Sequence, residues 1–462
     1  MKMEQRSIEF IPESERHGNV RNLFPLWFSA NSHMTTVVTG ALAIKLGLSL
    51  WEAVITIILG NAIGGIIMAL QSAQGPKLGI PQMIQSRAQF GIIGAIFPLI
   101  LVIMIYVGFF SVGTVFGAEA LSGVFHLSYP VSVVIVNVLA VILVIYGYDF
   151  IHRFERYISI LFFLLFIYLT FRLLQHPIPV HIQDHTFSWG SFLLVLSIMA
   201  SWQLTYGPYA ADYSRYLPTN TPKRSTFLYT YLGSVFGASW LMIIGALATI
   251  IAPKQSAEMV SYLAGVSGPG LTTITYVITV LGVLAINTLS LYGGFMSVVT
   301  TVSAFSKWNF NSKSRILFIL ILPIIGTFLS IWGQGNFLNN FFNFLLLLLY
   351  FMIPWSAINI VDFYLVRKGK YNVHAVFNPN GEYGRVNWIS ITVYFFAVLV
   401  QFPFMNTGLY VGVIAKYLNG ADIAWIVGLI AASVLYYFPM KRKVAQIEKS
   451  RSPIQDATLE QS

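Results

Sequence analysis

Three short runs of polar and aromatic residues sit inside stretches that are otherwise apolar. The chemistry they offer is recognition. The first is Asn31-Ser32-His33, which follows Trp27-Phe28-Ser29-Ala30 within the apolar stretch 24–44. The second is Trp202-Gln203-Leu204-Thr205-Tyr206-Gly207-Pro208, and the third is Asn287-Thr288-Leu289-Ser290. An Asn or Gln amide presents a donor and an acceptor together, as does a neutral imidazole. Stretch 24–44 is long enough to cross a bilayer, so its polar centre falls near the midplane. Polar groups there are costly and usually face a cavity or an ion path. Consecutive small polar residues also compete with the helical backbone bonds. The sequence therefore predicts an interrupted helix whose freed backbone groups line a site. The alternative is a continuous helix with a polar patch packed on a neighbour.

The elements that position these runs are membrane spans. Of the 462 residues 56% are hydrophobic and 10% charged, against about 25% charged in a soluble domain. The absence of Cys excludes disulfides, thiolate metal sites and Cys nucleophiles. The net charge of +10 could suggest nucleic acid, but its distribution follows membrane topology instead. Twelve spans are predicted, at about 24–44, 50–71, 92–118, 129–148, 157–175, 188–210, 226–252, 271–299, 315–333, 337–358, 386–404 and 422–440. With the N-terminus in the cytoplasm, every Lys and Arg lies inside except Lys45, Arg172, Lys254 and Lys416. That bias places both termini in the cytoplasm. The polar leader 1–23 does not read as a cleavable signal. The tail from Lys441 to Ser462 lacks a periodic apolar face and is expected to be solvated and disordered.

In the sixth span, Pro208 removes a backbone donor and Gly207 relaxes the chain beside it. Spans one and six, of opposite direction, are thus both interrupted near mid-depth, the pattern of an inverted repeat. An ordinary kink is the bland reading of Gly207-Pro208. Asn287 is either interhelical glue or a ligand contact. On the third span, Gly113 and Gly117 suit close packing, and the aromatics Tyr106, Phe109 and Phe110 read as packing on their own. Glu119 closes that span and is expected to be solvated. Asp212 and Arg215, spaced i and i+3, suit a local ion pair or part of an inner gate. His181 and His185 have helical spacing for a metal but lie in a Pro-containing loop, so no metal site is expected.

Several of these stretches resemble the nucleobase–cation symporter family, which holds cytosine, purine, allantoin, hydantoin and thiamine-type permeases. They are Glu15-Arg16-His17-Gly18, Trp27-Phe28-Ser29-Ala30-Asn31, the run 75–91 (GPKLGIPQMIQSRAQFG), Asp212-Tyr213-Ser214-Arg215-Tyr216 and the run 359–367 (NIVDFYLVR). The run 75–91 is the most specific, and the purine–cytosine permease branch is the most similar. The resemblance implies an all-α polytopic membrane protein of twelve helices: a five-plus-five inverted repeat of the leucine-transporter type plus two peripheral helices. Segment by segment, that is leader 1–23, a ten-helix core 24–358 with repeats 24–175 and 188–358, loop 359–385, peripheral helices 386–440 and tail 441–462. It implies alternating access and a planar heterocycle clamped at mid-membrane. Phe109 falls where a stacking Trp is common, and Trp202 near the sixth-helix aromatic. Tyr106 and His33 fall where some members have Gln, and Asn287 falls in the eighth-helix polar cluster. Gln203 joins Asn287 and His33 as a candidate for reading the ring edge. Tyr for Gln at 106 puts the identity of the substrate in question.

The resemblance also implies a coupling cation between carbonyls of the broken first helix, near Ser29 and Ser32, and hydroxyls of the eighth. The hydroxyl positions align with Ala285 and Ile286, which supply none, and Thr288 and Ser290 could substitute only if the helix is rotated or in another register. His33 offers a titratable group nearby, with an unperturbed pKa of about 6.5. Proton coupling is therefore preferred over sodium, and no cofactor is expected. The partners implied are a small nucleobase-like substrate and the lipid bilayer of the cell membrane, not nucleic acid. An amino-acid or thiamine/pyrimidine-type transporter on the same fold is the alternative. An amine carrier is disfavoured because spans one, three, six and eight hold no acidic residue near mid-depth. An enzyme would need clustered His and acidic residues, and a channel would need pore-lining rings.

Overall fold

The computed structural model describes residues 9–146, 148–178, 186–302, 304 and 312–450. The His181 and His185 pair lies outside the described residues. The first span is broken as its polar centre predicts. Helix α1 (Leu23–Ala30) stops, and α2 (Met34–Lys45) starts after an extended His33 at φ −154° and ψ 167°. Helix α3 (Leu50–Ser72) follows a capping box made by Ser49 and Glu52. Short α4 (Gly75–Leu78) and α5 (Gln82–Phe90) form the second-to-third connection, and α6 (Ile96–Phe125), α7 (Tyr129–Tyr146) and α8 (Tyr148–Leu174) complete the first half.

The second half repeats this order. It opens with another broken pair, α9 (Trp189–Leu204) and α10 (Gly207–Ser214), with Pro208 inside the first turn of α10, where its missing N–H costs nothing. Then come α11 (Lys223–Ile251), the short α12 (Met259–Val266), α13 (Thr272–Val302), α14 (Ser312–Gly333) and α15 (Phe337–Val361). Helices α16 (Trp388–Leu399), α17 (Val413–Tyr417) and α18 (Ala424–Ser450) end the chain. Among the described residues the only β pairing is the isolated bridge Asn406–Val411. Among the described residues, seven stretches are long and apolar enough to cross a membrane: Leu50–Leu78, Ile96–Phe125, Tyr157–Leu174, Lys223–Ile251, Thr272–Val302, Ile319–Val366 and Ala424–Ile447. Met34–Lys45, Tyr129–Ile145 and Trp388–Phe404 are shorter apolar helices.

The two halves interlock reciprocally. Helix α3 packs along α9, and α11 packs along α1 and α2. Both crossings rest on glycine. A Cβ at Gly245 of α11 would fall 1.7 Å from the Val37 carbonyl oxygen, and one at Gly64 of α3 would fall 2.4 Å from that of Ala200. Helices this close gain packing that no larger side chain allows. A second group, α6, α7, α13 and α14, packs mainly on itself. The candidate site lies between the two groups.

Two expectations change here. The tail does not leave the protein at Lys441, because α18 runs on to Ser450. Tyr436, Met440 and Val444, four residues apart, are buried against the core. The apolar face is present, and the basic residues around it are good helix formers. Glu119 is not simply solvated, since its carboxylate accepts the Ser261 backbone N–H of α12 at 2.8 Å.

The second-to-third connection is a packed plug. Residues 82–90 are all buried. Gln74 and Gln82 both donate to Asn359 Oδ1, at 2.8 and 3.3 Å. Beside them a π-helical turn, Asp362–Val366, carries a buried carboxylate. Asp362 accepts from Tyr371 (2.6 Å), Tyr436 (2.9 Å), Arg367 (3.2 Å) and Gln89 (3.4 Å). Arg367 also reaches Glu382 at 3.4 Å. Burial alone would lower the Arg367 guanidinium, but Asp362 beside it overrides this and raises it. Loop 359–385, α5 and α18 are thereby joined at one charged centre.

Candidate functional site

The two helix breaks face each other, and Trp202 of α9 is the ring around which the other side chains gather. It is 1% exposed. Phe109 of α6 meets it edge to face, with centroids 5.6 Å apart and planes at 86°. His33 lies 5.7 Å away at 43°, and Tyr206, in the second break, 6.1 Å away at 82°. Phe344 of α15 packs on the far edge of Phe109 at 5.5 Å. Below Phe109, Tyr106 stacks on Tyr209 of α10 at 5.7 Å and 24°. Tyr106 fits there because Gly293 has no Cβ; one would fall 2.4 Å from its ring.

The structure thus brings together Phe109, Trp202, His33 and Tyr106. Phe109 and Trp202 do not stand as two parallel faces. A flat ring can enter between them only if one of them turns. Trp202 is pinned, since its indole N–H donates to Asn31 Oδ1 at 2.7 Å. Phe109 is only half-buried and carries no such tether, so it is the ring that can turn.

The two ends of the Asn287 amide have different surroundings. Its Nδ2 donates to Thr114 of α6 at 2.9 Å, within a polar chain that continues through Asn137 to Thr327. That half is interhelical glue. Its Oδ1 is buried without a partner, beside Gly113, one turn from Phe109. His33 Nδ1 is likewise buried and unpartnered. Buried polar atoms are nearly always bonded, and these two keep hydrogen-bonding capacity that the protein itself does not fill.

Gln203 differs from its expected role as an edge reader. Its Oε1 accepts from the Ser234 hydroxyl at 2.6 Å, and its Nε2 donates to Asn61 Oδ1 at 2.8 Å. Both ends of the amide are committed inside the protein. The side chain points from α9 toward α3 and α11, away from Phe109.

At the first break, the Ser29 carbonyl accepts the Ser32 N–H at 2.8 Å, and Ser32 Oγ bonds the Phe28 carbonyl. The Ala30 carbonyl accepts the Tyr206 hydroxyl at 3.0 Å. Thr288 Oγ1 donates to Leu284 within its own helix at 2.6 Å. Toward the leader, Asp212 Oδ1 accepts the Gln82 N–H at 2.7 Å, starting α5. Arg215 donates to the Asp212 backbone carbonyl (3.3 Å), the Glu9 carbonyl (3.4 Å) and the Tyr216 hydroxyl (3.1 Å). These bonds tie α10 to the leader and to the α5 plug.

Tyr206, Tyr209 and Phe344 escaped sequence reasoning. Only Tyr206 had a signal, its place beside Gly207-Pro208.

Residues 10–428 match the family described as permease for cytosine/purines, uracil, thiamine, allantoin. A Bacillus subtilis (strain 168) protein named as a purine-cytosine permease, YxlA, is 47% identical over 96% of this chain and 97% of its own. The purine-cytosine permease fcyB of Emericella nidulans is 27% identical over 94% and 88%. Among solved structures, the inward-facing conformation of Mhp1 superposes with a TM-score of 0.79 at 19% identity, covering 96% of this chain and 94% of that one. Mhp1 in a closed conformation with bromovinylhydantoin bound gives 0.74 at 20% identity, covering 96% of each.

Proposed function

The chain belongs to the family of permeases for cytosine, purines, uracil, thiamine and allantoin, and from that premise we propose that it imports a neutral planar N-heterocycle, cytosine or a purine first among them. It is a multi-pass membrane transporter and not an enzyme. One juxtaposition carries the substrate reading: Trp202 held by Asn31 and set edge to face with Phe109, with the unpaired Asn287 Oδ1 and His33 Nδ1 at hand. Stacking on an aromatic ring contributes about 1–3 kcal/mol per base. Unpaired buried acceptors then penalise any ring that brings no donor. The cell membrane, with both termini cytoplasmic, is the location the Lys and Arg distribution supports.

Coupling to a cation completes the proposal, with the proton preferred over sodium. In support, the eighth-helix positions Ala285 and Ile286 carry no hydroxyl and the Thr288 hydroxyl is engaged within its own helix.

Uptake into whole cells, competed by cytosine, adenine, hypoxanthine, uracil, allantoin and a thiamine-type pyrimidine, tests the substrate. Competition by at least one planar base is expected, and competition by amino acids alone would overturn the reading. For the cation, uptake should persist in choline, rise toward acid pH and collapse with a protonophore. Accumulation in proteoliposomes driven by a sodium gradient alone, at zero potential and equal pH, would replace the proton with sodium.

A further inference from the structure

We propose that Asn31 is the positioning residue for the Trp202 ring, and that through it the break in the first span and the break in the sixth move as one unit. This rests on the functional reading above, in which a flat substrate stacks on Trp202.

The only polar atom of the Trp202 ring is its indole nitrogen, and its hydrogen goes to Asn31 Oδ1. Asn31 spends its two amide hydrogens on the Trp27 carbonyl (2.7 Å) and the Ser234 hydroxyl (3.1 Å). Ser234 passes its own hydrogen to Gln203 Oε1, and Gln203 donates to Asn61. Asn61 ends the relay on the Ile57 carbonyl at 2.9 Å. Every side chain in this relay is at most 1% exposed.

The relay permits one arrangement. If the Asn31 amide were turned over, an NH2 group would face the indole N–H, and its oxygen would face the Trp27 carbonyl. Each reversal leaves buried groups unsatisfied, so the donor order is set from Trp202 to Asn61. Rotating the indole likewise strands Asn31 Oδ1. Trp202 is therefore a fixed platform, and Asn31 is what fixes it.

Asn31 also belongs to the break itself. Its own carbonyl accepts the Thr36 hydroxyl at 2.6 Å, and the neighbouring Ala30 carbonyl accepts Tyr206 from the opposite break. A change in this break, whether from a cation at its neighbouring carbonyls or from a proton taken up beside them, therefore reaches the Asn31 backbone and the plane of the ring. Substrate stacked on the ring orders the carbonyls in return, because such linkage is reciprocal. Asn31 acts through Trp202 and does not touch the substrate.

The test uses the purified full-length protein in lipid nanodiscs, with cytosine as the probe. Its affinity is measured by titration calorimetry with and without sodium, and at acid and neutral pH. Trp202→Phe keeps an aromatic face and removes the indole hydrogen, while Asn31→Ala removes the acceptor. Each should weaken cytosine binding roughly tenfold and abolish most of the cation-dependent change in affinity seen in the wild type. The double variant should be no worse than the weaker single. Singles that weaken binding yet keep the wild-type cation dependence, or that multiply in the double, would overturn the proposal.

A ligand-free measurement separates this inference from the functional reading. The Trp202 indole N–H, identified in nitrogen-15 spectra by its loss in Trp202→Phe, should resist solvent exchange in the wild type and lose that protection in Asn31→Ala. Unchanged protection sinks the positioning role even if cytosine binds. Intact protection dependent on Asn31, with no heterocycle bound by the wild type, sinks the substrate reading alone.

Discussion

Two buried polar networks lie on different helices and are built from different chemistry. The relay from Trp202 through Asn31, Ser234 and Gln203 to Asn61 uses only neutral groups. The cluster around Asp362 is centred on a carboxylate with a guanidinium and two phenols turned onto it. A neutral amide chain costs less to desolvate than an ion, and losing one of its bonds strands a dipole at about 1–3 kcal/mol. A buried ion cannot lose a partner without leaving an uncompensated charge, at about 3–5 kcal/mol. The neutral network ties the break in the first span to α9, α11 and α3, and the charged one joins the second-to-third connection, loop 359–385 and the last helix.

The comparison breaks most visibly at Asp362. Asp362→Ala leaves Arg367 buried beside unpaired phenols and should lose about 3–5 kcal/mol, enough to deplete folded protein. Size-exclusion chromatography of the detergent-solubilised variant should show loss of the monodisperse peak. An intact peak would mean that the charged cluster is not the anchor argued for here.

Trp202→Ala ranks next. The variant should reach the membrane at near wild-type amounts and yet show no measurable uptake, because the platform is gone while the charged cluster is untouched. Retained uptake would refute the stacking role. Asn287→Ala should cost roughly ten- to a hundredfold in affinity and reorder the competing bases. A uniform loss across all of them would leave Asn287 with its glue role toward Thr114 only. The smallest effect should come from Phe109→Trp, within about threefold of wild type in uptake, since a larger ring that can still turn keeps the stacking face. Phe109→Ala, measured alongside, should resemble Trp202→Ala.

Both breaks were legible in the sequence because they violate a strong local pattern: Asn31-Ser32-His33 and Gly207-Pro208 interrupt apolar helices. The family-like run 75–91 was equally visible, although the sequence did not show that 82–90 form a buried helix. The role of Gln203 was not legible. Its type marks it as a reader of ligand edges, but its partners Ser234 and Asn61 lie 31 and 142 residues away, and one-dimensional spacing does not reveal which amides are already spent. Tyr209 and Phe344 were hidden for a related reason, since an aromatic on a membrane helix is ordinary until a neighbour gives it a face. For the last helix, the stripe of Tyr436, Met440 and Val444 was present in the sequence but masked by the basic residues between them.

The neutrality of the site has an electrical consequence. The side chains gathered around Trp202, namely Phe109, Phe344, Tyr106, Tyr206, Tyr209 and Asn287, carry no formal charge, and neither does His33 in its neutral form. A charge moved across the whole membrane field gains or loses about 2.3 kcal/mol per 100 mV, and these groups have none to move. With an uncharged base as cargo, the current per molecule imported equals the charge of the co-transported cations. The return of the empty carrier should then be indifferent to voltage. A proton riding on His33 would show instead as voltage dependence of the loaded import step.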